Sequence, residues 1–326
     1  MKKVLIAILL LGLLPHASAD YIHWVDFRLS APVLRSALEL DMASQGGEQP
    51  LDWIDILALA AAWRGGTGVT VADTQRAAQA LRGDTPPERL PGMAGRCFSY
   101  YRAAYGAALG GLVGHFAIRR TDPQTSEAEW IPAYGLKAFS PIAAGYPWSH
   151  YPDFGAQRSY GYARPHLGND ILGALGTPIC AVEGGTVEAL GWNRYGGWRI
   201  GIRSDDRKRY YYYAHLRKDT PYAEGLAVGQ RVQAGDVIGF MGRTGYSAQE
   251  NVNNIETVHL HFGLQLIFDE SQKECDSEIW IDVYPIIELL ASHCSSVARD
   301  PQTGRWERLY PYCDLDAEPL RSAAAR

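Results

Sequence analysis

The stretch TVHLHFGLQL, residues 257–266, places two histidines, His259 and His261, within an apolar run. Its β-branched, aromatic and aliphatic residues favour a strand. Residues i and i+2 of a strand project from the same face, so both imidazoles point one way and Val258, Leu260 and Phe262 point the other. A solvated polar face of a sheet explains such a pair, and so does a metal site, because imidazole is the commonest metal-binding side chain. The pair alone does not choose between them.

The segment before this stretch has the pattern of an all-β domain. Short apolar runs alternate with turn signals, as in TPICAVEGGTVEALGW (177–192) and GQRVQAGDVIGFMG (229–242). Asp205 and Asp206 lie between two alternating runs, which indicates a hairpin. Several short strands at this spacing predict a small antiparallel sheet.

The rest of the chain divides around this domain. Residues 20–137 are predicted to form a helical N-terminal domain, because segments such as LDWIDILALAAAWRGG (51–66) place apolar residues at helical spacing. Residues 138–165, rich in Gly, Pro, Tyr and Trp, form a connecting segment. Residues 166–294 form the β domain with a closing helix, and the polar tail 295–326 is expected to be poorly ordered. The expected fold class is α+β.

The first residues, MKKVLIAILLLGLLPHASAD (1–20), have the features of a secretory signal peptide. A positive start, an apolar stretch and the small-residue box Ala17-Ser18-Ala19 follow one another, so cleavage is expected after residue 19. The apolar stretch is too short to span a bilayer comfortably, which disfavours an uncleaved anchor. No later stretch predicts a membrane span. The mature protein is therefore expected to be exported, to the periplasm or outside the cell.

Charge and cysteine content limit which binding partners and which kinds of metal site are expected. The formal net charge is −5 and no basic block occurs, which argues against nucleic acid as a partner. There are five cysteines, so at least one thiol stays unpaired within the chain. Cys275, Cys294 and Cys313 cluster late, and one bridge among them is plausible with a connectivity that the sequence leaves open. No CxxC spacing occurs, which argues against a thiolate zinc site.

Five side chains of the predicted β domain have metal and acid–base chemistry in common. They are His166, Asp170, His215, His259 and His261. Zinc in hydrolases takes three protein ligands from histidine and carboxylate and keeps one position for water. Two histidines and one aspartate would leave the ion with net positive charge, which lowers the pKa of the bound water and polarises a carbonyl. Two histidines would remain for proton transfer and for stabilising the developing oxyanion.

The pattern HxxxD, then a histidine in YAHL, then HxH followed by Phe resembles the LytM/lysostaphin-type zinc metallopeptidases. These are peptidoglycan endopeptidases built on a small antiparallel β-sheet domain of duplicated hybrid motif type. The resemblance implies that Zn2+ is bound by His166, Asp170 and His261. It implies that His215 and His259 are the catalytic pair. His259 would act as the base towards the zinc-bound water, and His215 would help stabilise the tetrahedral intermediate.

The resemblance implies a secreted zinc metalloendopeptidase that cleaves cross-link or stem peptides of peptidoglycan. A catalytically silent domain that binds cell wall or activates another hydrolase is the alternative, although such relatives typically have lost zinc ligands that are present here. Cupin-type metal sites also contain HxH. They require a glutamate soon afterwards, where this chain has Gln265, and they do not explain HxxxD.

Four tyrosines are candidates for substrate contacts. In some relatives a tyrosine shortly before the first zinc histidine assists the transition state, which points to Tyr160 and Tyr162. Strand alternation places Tyr211 and Tyr213 on the face of His215, where they could line the groove or pack in the core. The loop before HxH, residues 246–258, is longer than is usual in the family and leaves the groove shape open. The role of the N-terminal domain is open too.

Overall fold

The computed structural model describes residues 22, 24–121, 128–159, 163–273 and 277–317. The predicted signal peptide, Cys275 and the candidate tyrosines Tyr160 and Tyr162 lie outside these residues.

A cluster of helices occupies the N-terminal part of the described chain. The second helix is apolar on nearly all sides and nine of its 12 residues are buried, which makes it the centre of the cluster. Asp52 accepts a hydrogen bond from the backbone N–H of Ile54 at its start, and Gly65 ends it in the left-handed conformation at φ 64°. The helices are α1 (Ala31–Ser44), α2 (Trp53–Arg64), α3 (Val71–Leu81), α4 (Met93–Leu109) and, after the β domain, α5 (Tyr284–Leu290).

The N-terminal part is not helical throughout. A hairpin of β1 (Val113–Thr121) and β2 (Ala128–Leu136) follows α4. Ile118 pairs with Ile131 across this hairpin, and β-branched residues of this kind favour strands over helices. The prediction of an entirely helical 20–137 segment is corrected to four helices and a hairpin.

The β domain is built around one large antiparallel sheet, as predicted, so the α+β fold class is confirmed. The strands of the domain are β3 (Trp148–His150), β4 (Gln157–Ser159), β5 (Ala163–Pro165), β6 (Asn169–Gly173), β7 (Pro178–Cys180), β8 (Gly185–Asn193), β9 (Gly197–Ser204), β10 (Arg209–Ala214), β11 (Arg231–Val232), β12 (Val237–Phe240), β13 (His259–Leu266) and β14 (Ile279–Trp280). The strand order of the large sheet is β11-β8-β9-β10-β13-β6-β3, with β14 paired to β13. The strands β4 and β5 form a separate short pair, and so do β7 and β12.

Part of the tail that was expected to be poorly ordered forms strands: β15 (Val297–Arg299), β16 (Trp306–Arg308) and β17 (Tyr312–Asp314). β17 pairs with β1 and makes a three-stranded sheet in the order β17-β1-β2. The buried Lys137 ammonium lies 3.0 Å from an Asp314 carboxylate oxygen, which ties the tail to the end of β2. The expectation of disorder is therefore wrong for residues 297–314.

A buried arginine of the β domain also contacts the helices. Arg209 on β10 contacts Glu183, with Nε 2.7 Å from a carboxylate oxygen, and its Nη1 donates to the Ala107 carbonyl of α4 at 2.7 Å. The Tyr211 hydroxyl donates to the same carboxylate at 2.6 Å. The two charges neutralise each other within the β domain, and the hydrogen bond to the Ala107 carbonyl links this ion pair to α4.

The described residues also bear on the expectations about disulfide bonds and membrane-spanning segments. Cys97, Cys180, Cys294 and Cys313 are free thiols. Within the described ranges, no helix combines the length and the apolar character that crossing a membrane requires.

Candidate metal centre and active site

The strand β13 carries the HxH pair at the centre of the sheet. His261 is paired with Asp170 on the neighbouring β6 and with Ala214 on β10. Residues paired across antiparallel strands project from the same face, so this register brings His261 and Asp170 together. His259 lies two residues earlier on that face and pairs with Leu172.

Three donor atoms converge at this point. His166 Nε2 lies 3.0 Å from Asp170 Oδ1 and 2.8 Å from His261 Nδ1, and His261 Nδ1 lies 3.1 Å from Asp170 Oδ1. The exposed fraction of the side chain is 7% for His166, 14% for Asp170 and 15% for His261. Two imidazole nitrogens and one carboxylate oxygen, clustered and partly open to a groove, fit the donor set of a catalytic zinc ion.

A carboxylate that the sequence analysis missed orients the first of these donors. Asp153, which is buried, has Oδ2 3.1 Å from His166 Nδ1 and also receives a hydrogen bond from Asn169 Nδ2 at 3.2 Å. The His166 Nδ1–H donates to Asp153, so the lone pair of Nε2 faces the donor cluster. Asp153 lies 13 residues before His166 in an irregular segment, and no spacing rule pointed to it.

The remaining two histidines lie beside the donor cluster. The His215 and His259 rings have centroids 4.8 Å apart. His215 Nδ1 lies 2.9 Å from the Thr244 carbonyl oxygen, and His259 Nδ1 lies 2.9 Å from that of Thr257. A carbonyl only accepts, so both Nδ1 atoms carry the proton. In the neutral rings each Nε2 is therefore a free proton acceptor.

Burial and neighbouring charges set the protonation of the cluster. Burial acts to raise the pKa of Asp170, but the adjacent His166 and His261 imidazoles outweigh it and hold that pKa well below its usual range. Burial, followed by the nearby imidazoles of His259 and His261, lowers the pKa of His215 well below 6.5. Burial also lowers the pKa of His261, against the attraction of Asp170. An ionised carboxylate beside neutral imidazoles is the state that metal binding requires.

A glycine leaves room for one of the donor rings. A Cβ on Gly168 would lie 2.6 Å from Cε1 and 2.7 Å from Nε2 of His261. Any side chain at this position would displace the ring that carries the Nδ1 donor.

Two of the candidate substrate tyrosines do not face the groove. Tyr211 and Tyr213 are 1% and 0% exposed and pack against Phe262 on the core side of the sheet. The alternation argument failed because His215 has φ 62°, a left-handed conformation that breaks the strand after Ala214. Tyr212 lies on the groove face instead, with its ring centroid 5.9 Å from that of His261.

The cluster lies in a groove of about 750 Å³. His150 is held away from the donor cluster by Asn169 and Glu288, and His293 contacts the Ala138 carbonyl; neither lines the groove. No described residue of the N-terminal part lines it either. The groove-lining residues that the sequence analysis did not identify include Tyr151, Arg158, Arg164, Tyr195, Tyr212 and Tyr246.

The comparisons with known proteins agree on the class of this domain. Residues 164–274 match Peptidase family M23, and this part of the chain is an M23 peptidase domain. The L-Ala–D-Glu endopeptidase of Bacillus subtilis (strain 168) is 40% identical over 130 residues, which are 40% of this chain and 38% of that protein. The glycyl-glycine endopeptidase ALE-1 of Staphylococcus capitis is 38% identical over 98 residues, 30% of this chain and 24% of that protein.

Among solved structures, the catalytic domain of lysostaphin from Staphylococcus simulans is 28% identical. That likeness covers 44% of this chain and 92% of that chain, with a TM-score of 0.33. The chain thus spans well under half the length of the two curated relatives named above.

Proposed function

We propose that the protein is an exported zinc metalloendopeptidase that hydrolyses peptide bonds of peptidoglycan. The observation that carries the proposal is the meeting of His166 Nε2, Asp170 Oδ1 and His261 Nδ1 within 3.1 Å of one another, beside two further histidines in a groove. The relatives, which include enzymes named for cleaving peptide bonds, support a peptidase.

Three residues would bind the zinc ion and two would transfer protons. When bound, the ion would polarise the scissile carbonyl and lower the pKa of a water molecule. Asp153 would hold His166 in the tautomer that ligation needs.

We assign proton transfer to the pair His215 and His259. With Nδ1–H donated to a backbone carbonyl, the Nε2 of either neutral ring can accept a proton from the attacking water and return it to the leaving amine. His259 is the proposed base because its Nε2 lies 3.7 Å from Asp170 Oδ1, next to the donor cluster. His215 Nε2 can donate a hydrogen bond to the tetrahedral intermediate only after it has accepted a proton, and the attacking water would supply that proton, directly or by way of His259.

A catalytically silent domain is not favoured. All five residues are retained and clustered, and the described N-terminal residues leave the groove uncovered. A silent domain gives no physical reason for a buried carboxylate, Asp153, beside His166 Nδ1, since nothing would need His166 in a fixed tautomer.

The experiment that tests the proposal is a digest of purified peptidoglycan with the zinc-loaded protein lacking residues 1–19, with products identified by mass spectrometry. Peptide-cleaved muropeptides are expected, and they should be absent after chelation. Intact sacculi in the presence of one zinc per chain would contradict the proposal.

A further inference from the structure

The hairpin of β4 and β5 stands at the side of the groove and carries two arginines. Arg158 on β4 is paired with Arg164 on β5, and both line the groove that contains the metal-ligand candidates. Like charges directly opposite each other on antiparallel strands are destabilising. A carboxylate that contacts either guanidinium would relieve this repulsion.

One of the two arginines is neutralised within the protein. The Arg158 Nη2 lies 2.8 Å from Asp153 Oδ2 and 3.2 Å from Asp170 Oδ2. These two carboxylates, which also contact His166, neutralise the charge of Arg158. It is 31% exposed, so one side of the guanidinium still faces the groove.

The other arginine is held in place without being neutralised. The Arg164 guanidinium lies 4.3 Å from the ring centroid of Tyr195 and 5.5 Å from that of Tyr246. Stacking on aromatic faces fixes the orientation of a guanidinium and leaves its N–H donors free at the edge. No carboxylate among the described residues forms an ion pair with Arg164; Glu256 also lines the groove and is exposed.

We infer that Arg164, supported by Arg158, forms a subsite that binds a free carboxylate of the substrate next to the scissile bond. A stacked guanidinium has the planar donor geometry that recognises a carboxylate with two parallel hydrogen bonds. This inference rests on the proposed function and deepens it. The substrate would be an acidic stem peptide of the cell wall and not a neutral bridge built of glycine.

The test compares native peptidoglycan with the same material after its stem-peptide carboxylates have been converted to primary amides by carbodiimide and ammonia. For the zinc-loaded wild-type protein, we expect kcat/KM to be about 10- to 100-fold lower on the amidated material, because a charge-assisted hydrogen bond is lost. For Arg164→Gln, we expect the ratio between the two materials to fall to near one. Arg164→Lys should retain part of the preference.

The matched control is Arg194→Gln. Arg194 is exposed and lies 5.8 Å from the same Tyr195 ring, but it does not line the groove, so the preference should be unchanged.

The outcomes separate this inference from the proposed function. Equal cleavage of both materials by the wild type would overturn the carboxylate subsite and leave the peptidase function in place. An equal loss on both materials in Arg164→Gln would assign the arginine a structural role and would also overturn the subsite. Cleavage of neither material by the wild type would overturn the proposed function, and the subsite with it.

Discussion

Asp153 Oδ2 lies 3.1 Å from His166 Nδ1, so a buried carboxylate in an irregular segment acts together with the backbone carbonyl of the same residue to set which nitrogen of His166 faces the donor cluster. The same carboxylate binds Arg158 and Asn169, and it thereby links the groove hairpin to β6. A carboxylate that hydrogen-bonds to a metal-ligating histidine commonly affects metal affinity, although the carboxylate does not contact the metal.

Replacing Asp153 with alanine is expected to weaken zinc binding by about tenfold. The Nδ1–H of His166 would keep the Asp153 backbone carbonyl, 3.2 Å away, as its acceptor, so the effect should be a weakening and not a loss. Competition with a chromogenic chelator measures it. Asp84→Ala, in an exposed turn, is the control and should leave the affinity unchanged.

Replacing His259 or His215 with glutamine separates catalysis from metal binding. Each variant should retain one zinc per chain while kcat falls by roughly 10²- to 10⁴-fold, because a proton acceptor is lost and the three donors are not. Metal analysis and peptidoglycan turnover on the same samples check this. A His259→Gln protein that turns over like the wild type would refute its role as base.

Replacing Gly168 with alanine should abolish zinc binding. The new Cβ would lie 2.6 Å from the His261 ring and 2.7 Å from the Phe262 carbonyl oxygen, so the ring that carries the Nδ1 donor and the backbone of β13 would both have to shift. Gly106→Ala is the matched control, because a Cβ there meets nothing nearer than Ile54 Cγ2 at 4.0 Å. In the interior of α4 that change should stabilise the protein by about 0.5–1 kcal/mol.

The metal-free protein is expected to lose stability as the pH falls below about 6.5. Burial lowers the pKa of His293, although the Ala138 carbonyl acts in the opposite direction. A histidine whose folded pKa lies below its unfolded value binds fewer protons when folded. Its destabilising effect is therefore absent above the unfolded pKa and grows as the pH falls towards the folded pKa.

The measurement is the free energy of unfolding in urea at pH 7.5 and at pH 5.5, for wild type and His293→Gln. The loss between the two pH values should be smaller in the variant, which has one partly buried imidazole fewer. An equal loss would mean that His293 does not contribute.

The central part of the fold and the spacing of the metal-ligand candidates follow from the sequence, because local patterns determine them. Strand alternation places His259 and His261 on one face without knowledge of their neighbours. Alternation fails for Tyr211 and Tyr213 because it assumes a regular strand up to His215, and the positive φ of His215 is not encoded by a glycine that would reveal it.

Long-range pairing accounts for most of what the sequence did not predict. The polar tail offers little hydrophobic pattern, yet Tyr312–Asp314 becomes ordered by adding a strand beside β1. Asp153 reaches His166 through an irregular segment with no period. The pairing of Arg158 with Arg164 depends on the register of a hairpin whose sequence gave no turn signal strong enough to predict it.

The most direct measurement of the central claim is a titration of zinc into the metal-free protein with peptidoglycan turnover as the readout, carried out beside Asp170→Asn. The account predicts that turnover rises in proportion to zinc and reaches its plateau at one ion per chain, while Asp170→Asn stays inactive at the same zinc concentrations. Turnover that does not depend on zinc, or that Asp170→Asn retains in full, would contradict the assignment of His166, Asp170 and His261 as the metal centre.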